Sequence, residues 1–113
     1  MTTTVNKPLI DSKTLETALT TQYTAGSGVR AQIDKFTATN TTGAAITITL
    51  HLVPPAGTAD ATNKIISAVS VGAGLDTSLA SVAGQTLAAG GAIAAVASAT
   101  GLVIRCTGRE TTG

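Results

Sequence analysis

The chain has 113 residues, the size of one domain, and only 12% are charged, about half the usual globular share. Its formal net charge is +1, its seven Lys and Arg residues are scattered, and it has one Tyr and one Phe, so a nucleic-acid surface built on basic clusters or stacking aromatics is excluded. A single cysteine excludes an intramolecular disulfide framework.

The first 16 residues are polar and threonine-rich, apart from the apolar pair Leu9 and Ile10. They contain no apolar run long enough for the core of a signal peptide, so we expect synthesis in the cytosol without export. We predict that residues 1–16 form an extended arm, which either docks loosely on its own domain or reaches onto an adjacent subunit. Residues 17–113 are predicted to form the folded domain.

The first half of that domain is predicted to contain three strands. The segment 17–25 contributes one that contains Tyr23. In 29–40 the apolar residues change parity near Asp34, which predicts a bulge that keeps them on one side. Residues 45–53 alternate apolar and polar, the period of a half-buried strand, with His51 on the polar face and Pro54 ending it.

Turn residues connect these strands in the predicted topology. Asn40-Thr41-Thr42-Gly43 tolerates positive φ and is predicted to join the second and third strands as a hairpin. Downstream, Ile65, Val69 and Val71 share a parity and predict another strand.

The last part of the chain is dominated by a stretch without ionisable side chains, Thr77 to Ile104. Strands over 79–87 and 93–97 are predicted there, although an alanine-rich helix over 87–97 or a membrane span is an alternative. The final strand is predicted to point Leu102, Ile104 and Cys106 inward.

Seven or eight short strands with frequent turns predict an all-β single domain, a β-sandwich or jelly roll. Only 26 of the 113 residues are Leu, Ile, Val or Phe, which makes the core thin. We therefore expect a homo-oligomer or a subunit of a larger assembly, rigidified by contacts between subunits.

No combination of residues predicts catalysis. Cys106 and His51 lie on opposite parities of different strands and should not meet. The six carboxylates include no close pair, the glycine clusters lack a phosphate-loop ending, and the chain has too few Cys and His residues for a zinc site. We therefore predict that the protein is not an enzyme and has no catalytic residues, cofactor or metal.

Several segments together resemble small virion proteins of tailed bacteriophages. They are Tyr-Thr-Ala-Gly at 23–26, Asn-Thr-Thr at 40–42, the alternating strand 46–53, Thr-Leu-Ala-Ala-Gly at 86–90 and Val-Ile-Arg-Cys-Thr-Gly-Arg-Glu at 103–110. The resemblance implies a β-sandwich that decorates or cements the capsid, forms a dimer or trimer and is located in the virion.

The resemblance implies the major capsid protein or other virion proteins as partners, with no nucleic acid and no membrane. Two alternatives remain open, a tail, neck or baseplate component and a carbohydrate-binding or adhesive module. The candidate interface residues are the two apolar residues of the arm, the tyrosine and two arginines of the last strand, namely Leu9, Ile10, Tyr23, Arg105 and Arg109. The two arginines would pair with acids of a partner protein.

Overall fold

Residues 2–112, which a computed structural model describes, form nine β-strands joined by turns, and none of these residues is helical. The strands in chain order are β1 (Thr3–Thr14), β2 (Thr20–Thr24), β3 (Val29–Asn40), β4 (Ile46–Val53), β5 (Lys64–Val71), β6 (Asp76–Ser78), β7 (Thr86–Leu87), β8 (Ala92–Ala97) and β9 (Leu102–Thr112).

The strands form two antiparallel sheets that pack face to face as a single β-sandwich. Sheet A has the order β1-β9-β3-β6, with β7 also paired to β3, and sheet B has the order β2-β8-β4-β5. The predicted all-β sandwich is confirmed. The count is nine instead of seven or eight because β6 and β7 are short segments of three and two residues.

The core lies between the two sheets and is built from aliphatic side chains around Phe36, its one fully buried aromatic ring. Leu102, Ile104 and Cys106 of β9 all point into it, as predicted, because every second residue of a strand faces the same side. At the β3 edge, Leu79, Val82 and Leu87 close the core, although they belong mostly to turns.

Strand β3 contains the predicted bulge. Its pairing with β9 shifts register between Ile33 and Lys35, so one extra residue is accommodated at Asp34. Ile33 and Phe36 therefore both face the core despite their opposite parity.

The predicted hairpin between β3 and β4 is wrong. The two strands have the expected bounds, but β3 lies in sheet A and β4 in sheet B, so residues 41–45 form a corner between sheets. Asn40 is buried there: its Nδ2 donates to the carbonyls of Ala44 (2.7 Å) and Val71 (2.9 Å), and its Oδ1 accepts from Thr42 N (2.9 Å). The turn residues mark where β3 ends. The hydrogen bonds of the Asn40 amide hold the corner in which the chain passes from sheet A to sheet B.

Strand β5 carries a second phase change that the sequence did not reveal. Ala68 has a φ of 49°, and the pairing with β4 shifts register across it. As a result Ile66 and Val71 are buried, whereas Ile65 is half-buried and Val69 is exposed. The prediction that Ile65 shares a face with Val71 is therefore wrong.

The charge-free stretch is mostly strand and turn. Residues 93–97 lie in β8 as predicted, which excludes the alternative of an alanine-rich helix. The predicted strand over 79–87 is reduced to β7, and residues 79–85 turn alongside β3. In the part of the chain that the structure describes, no helix is long and apolar enough to cross a membrane.

The segment predicted to be an N-terminal arm contains β1, which pairs with β9 at the edge of sheet A from Thr3 to Thr14, with register shifts between Pro8 and Ile10 and between Ile10 and Lys13. Whether this segment also reaches another subunit stays a prediction.

Candidate functional site

The outer face of sheet A concentrates charge, and both arginines of its strand β9 are paired with acids of the same chain. Arg105 donates to the carboxylate of Asp11 (2.6 Å), and Arg109 makes a two-pronged contact with Asp34, the closest approach being 2.9 Å. The guanidinium of Arg105 and the backbone N–H of Ser12 hold the pKa of Asp11 below its ordinary value, with the backbone donor contributing most. Each arginine predicted to meet an acid of a partner thus already has an acid of its own chain.

One end of the sandwich is closed by a polar contact between the sheets. The hydroxyl of Tyr23, on β2, donates to a carboxylate oxygen of Glu110 on β9, and Lys7 of β1 lies 3.2 Å from the other oxygen. Burial, followed by this hydrogen bond, raises the pKa of Tyr23, while the pKa of Glu110 is lowered by the tyrosine and then by the lysine. The predicted interface residue Tyr23 therefore connects the two sheets of its own domain.

The apolar pair of the predicted arm belongs to the core of this chain. Leu9 and Ile10 are only 7% and 3% exposed although they are consecutive, because the register of β1 against β9 shifts between Pro8 and Ile10. Gly108 lies against both Leu9 and the backbone of β3: a Cβ on Gly108 would collide with the carbonyl of Gln32 and would lie 2.8 Å from Leu9 Cδ1. Contact with another subunit stays a prediction for all five interface candidates.

Sheet B presents a different outer face, built from small uncharged side chains. We call this surface the neutral face. It consists of the outward residues of β4 and β8 that stay partly exposed, namely Thr47, Thr49, Ala92 and Val96. Ala94 faces the same side but is buried, and the exposed Lys64 of β5 lies opposite His51 at the border of this surface. On the outward positions of β4 and β8, the one ionisable side chain is His51, which is 5% exposed.

The prediction that His51 is a half-exposed strand residue is wrong. Its parity is outward, as expected, but the loop 54–63 folds back and buries it. Asn63 contacts His51 Nδ1 through Oδ1 (2.9 Å) and donates through Nδ2 to Thr58 O (2.8 Å). Asp60 organises the same loop by accepting from the backbone N–H (2.8 Å) and hydroxyl of Thr62, whose hydroxyl is the main cause of the lowered pKa of Asp60. The alternating pattern of β4 does not predict that this loop covers His51, nor the hydrogen bonds that hold the loop in place.

The residues with intrinsic reactivity are kept apart. Cys106 is fully buried in sheet A, and burial raises the pKa of its thiol to about 12. His51 lies on the far side of sheet B, so the two do not form a nucleophile pair, as expected from their parities. Among residues 2–112, no three His, Cys, Asp or Glu side chains are grouped so that they could hold a metal ion.

Comparison with known proteins places the fold without assigning a family. No protein-family model matches the chain, and no curated protein matches it in sequence. A solved structure of Bacillus endospore appendages, described as a novel family of disulfide-linked pili, is similar with a TM-score of 0.57 at 15% identity, covering 99% of this chain and 90% of that one. A chain of infectious bursal disease virus, Gx strain, is similar with a TM-score of 0.53 at 14% identity, over 98% of this chain and 32% of that one.

The similarity is one of fold. Both structures come from assemblies, a pilus and a virus, in which many protein subunits pack together. At identities near 15% the match establishes the β-sandwich and nothing about contact surfaces.

Proposed function

We propose that the chain is a structural protein of a bacteriophage virion, specifically a capsid decoration or cement protein that bridges major capsid subunits. The observation that carries this proposal is the neutral face of sheet B, a surface of Thr, Ala and Val on a fold similar to those of subunits of assemblies. The resemblance of its segments to small phage virion proteins supports the same reading.

A neutral face suits permanent attachment to a shell because little charge has to be desolvated when it is covered. On sheet A, Arg105 and Arg109 stay in water as intramolecular ion pairs, each with a nearby acid. A protein that binds the assembled shell and not its free subunits stabilises the shell by mass action. The proposed role therefore needs only binding.

Disulfide-linked polymerisation, the property named for the similar pili, does not suit this chain. Its single cysteine provides at most one link, whereas a linear polymer joined only by disulfides needs two links per subunit. The thiol of Cys106 is also fully buried, and burial raises its pKa, so it is protected from exchange. Assembly would therefore rest on noncovalent surfaces.

The two rival roles differ from the proposal in measurable ways. A tail, neck or baseplate component would use the same chemistry but would be present in few copies per particle, whereas a shell protein is present in proportion to the major capsid subunits. A carbohydrate-binding module commonly stacks sugars on exposed aromatics. Phe36 is fully buried and Tyr23 is bound to Glu110, so we expect no binding on a glycan array.

The proposal is tested by counting copies of the chain in purified particles and by heating particles that contain or lack it. We expect stoichiometric occupancy of the shell and a lower rupture temperature without the chain. Thr47→Lys places a charge on the neutral face and should prevent binding to stripped shells. Thr39→Lys, on the outer face of sheet A and opposite Asp76, is the matched control and should bind normally. Equal rupture temperatures with and without the chain would refute a cement role.

A further inference from the structure

The first half of β1 is an exposed edge with no covering layer on either face. Residues Thr3 to Pro8 pair with β9 in unbroken register, from Thr3 opposite Thr112 to Pro8 opposite Thr107. All six are exposed, and Val5 keeps 51% of its surface in water, one of four large apolar side chains so exposed in the described chain. Within residues 2–112 no strand pairs with the other edge of β1.

The hydrogen bonds across sheet A show which backbone groups of β1 are unpaired. Ile33 of β3 donates its N–H to Gln85 O (2.9 Å) and accepts from Gly84 N (2.6 Å), so its backbone groups point away from β9. Gly108, which lies opposite Ile33, therefore points its own N–H and C=O toward β1, where its partner is Lys7.

Alternation along the strand then assigns the remaining groups. Thr3, Val5 and Lys7 bond to β9, whereas Thr4 and Asn6 direct both N–H and C=O to the free edge, and Pro8 directs its C=O there. The proline agrees with this assignment, because the residue that lacks an N–H occupies a position where β9 needs none.

We propose that this edge binds a second copy of the chain by antiparallel strand addition, with a twofold axis at Val5. In this register Thr4 faces Asn6 of the partner subunit and Asn6 faces Thr4 of the partner subunit. Each pair exchanges two backbone hydrogen bonds, which makes four in all.

Side chains select the same register. Val5 and Val5 of the partner subunit become directly opposite, non-hydrogen-bonded neighbours, the arrangement with the closest side-chain contact, and cover each other's apolar surface. Lys7 falls opposite Thr3 of the partner subunit, so no like charges meet. Moving the axis to Asn6 would set Thr4 opposite Pro8 of the partner subunit, where the missing N–H removes a bond, and moving it to Thr4 would leave the valines out of contact. The resulting dimer merges two copies of sheet A into one continuous sheet.

The other sheet edges are less suited to this pairing. The β5 edge pairs regularly for only three residues before the register shift at Ala68, and Ala68 N–H already donates to Thr49 Oγ1 (3.1 Å). The β2 strand has five residues and a shift between Thr21 and Tyr23. The opposite edge of sheet A is divided between β6 and β7. Bulged and short edges resist strand addition.

The test is the mass of the isolated chain in solution, measured by sedimentation over a concentration series. We expect a reversible dimer of the 11.1 kDa chain.

Two variants test the register. Asn6→Pro removes an N–H that points away from β9, so it leaves the fold intact but deletes two of the four intersubunit hydrogen bonds. Dimerisation should weaken about ten- to hundredfold. Val5→Lys sets two ammonium groups face to face at the axis, while inside one subunit the new side chain lies opposite Glu110, so it should yield a folded monomer.

The matched control is Ser70→Pro on the β5 edge. Thr47 of β4 bonds to Ser98 on its β8 side, through Ser98 N to Thr47 O (3.0 Å) and Thr47 N to Ser98 Oγ (2.9 Å). Ser70, opposite Thr47, therefore also points its N–H to solvent, and its substitution should leave the dimer unchanged.

A chain that stays monomeric at all concentrations, a trimer, or a dimer that survives both Asn6→Pro and Val5→Lys would overturn the proposal. The measurement uses free protein, so its outcome is independent of any test on shells.

Discussion

The phenol of Tyr23 and the carboxylate of Glu110 join the two sheets at one end of the sandwich. Tyr23 lies on β2 of sheet B and Glu110 on β9 of sheet A, 87 residues apart in sequence. Lys7 on β1 completes the cluster through an ion pair with the same carboxylate. One hydrogen bond thus connects the second strand of the chain to the last one.

Removing the hydroxyl of Tyr23 should lower the stability of the fold without unfolding the protein. For Tyr23→Phe we expect a loss of about 1 kcal/mol in the free energy of unfolding, because a hydrogen bond to a partly exposed charged acceptor is lost. Urea denaturation monitored by far-UV circular dichroism measures the difference. An unchanged midpoint would show that the contact contributes nothing to stability.

The same pair predicts a pH dependence. The pKa of Glu110 in the folded chain is below its ordinary value of 4.5, chiefly through the tyrosine, so this stabilisation is complete above pH 4.5 and is lost as the pH falls through the folded pKa. The stability gap between wild type and Tyr23→Phe should therefore shrink in acid. A gap that is constant from neutral pH to about pH 3 would contradict this assignment.

Asn40 should be among the polar residues whose loss costs most. Asn40→Ala leaves the buried carbonyl of Val71 and the backbone N–H of Thr42 without this partner, so we expect a loss of about 2–4 kcal/mol. Asn40→Asp should be at least as harmful, since a carboxylate would then face two carbonyl oxygens. The exposed Asn6→Ala is the control and should change stability by less than about 0.5 kcal/mol. A similar effect at both asparagines would contradict the role assigned to the corner.

The positive φ of Ala68 predicts a stabilising substitution. Glycine adopts this conformation without the steric cost that a Cβ imposes, so Ala68→Gly should raise stability by up to about 1 kcal/mol. Ala44→Gly, at an exposed position without a positive φ, should instead lower it slightly because the unfolded chain gains freedom. Thermal denaturation compares the two variants with wild type, and an equal loss in both would exclude strain at Ala68.

The thiol of Cys106 should be unreactive in the native protein. It is fully buried and burial raises its pKa to about 12, so the reactive thiolate is scarce at pH 8. We expect an aromatic disulfide reagent to label the chain at the rate of unfolding, and completely in urea. Rapid native labelling would show that β9 opens locally.

The alternation of apolar and polar residues was sufficient to predict the buried face of a strand wherever that alternation ran without a shift that the sequence hides. The alternation in β4 and β9 identified their buried faces, and the parity change near Asp34 identified a bulge, because apolar residues mark the inner face directly. Ala68 shows the limit: its bulge lies among Ser, Ala and Val, where either phase places small side chains on both faces, so the sequence carries no signal for it.

The exposure and the partners of the candidate surface residues depended on contacts with residues elsewhere in the sequence. The pattern identified Leu9, Ile10 and Tyr23 as unusual residues, but their environments come from Gly108 and Glu110 on the last strand. His51 shows the same effect, since its burial comes from the loop that follows its own strand.

The amino-acid sequence alone determined that this chain is an all-β module with few charged residues, because composition and period-two alternation are local properties. Only the tertiary structure decided which strands share a sheet, that the two arginines of β9 meet acids of their own chain on sheet A, and that no described strand covers the edge at Val5. Those features depend on the order of the strands in each sheet. Strands far apart in sequence pair in the register that buries their apolar faces and also forms their backbone hydrogen bonds, and this cannot be read from any one segment.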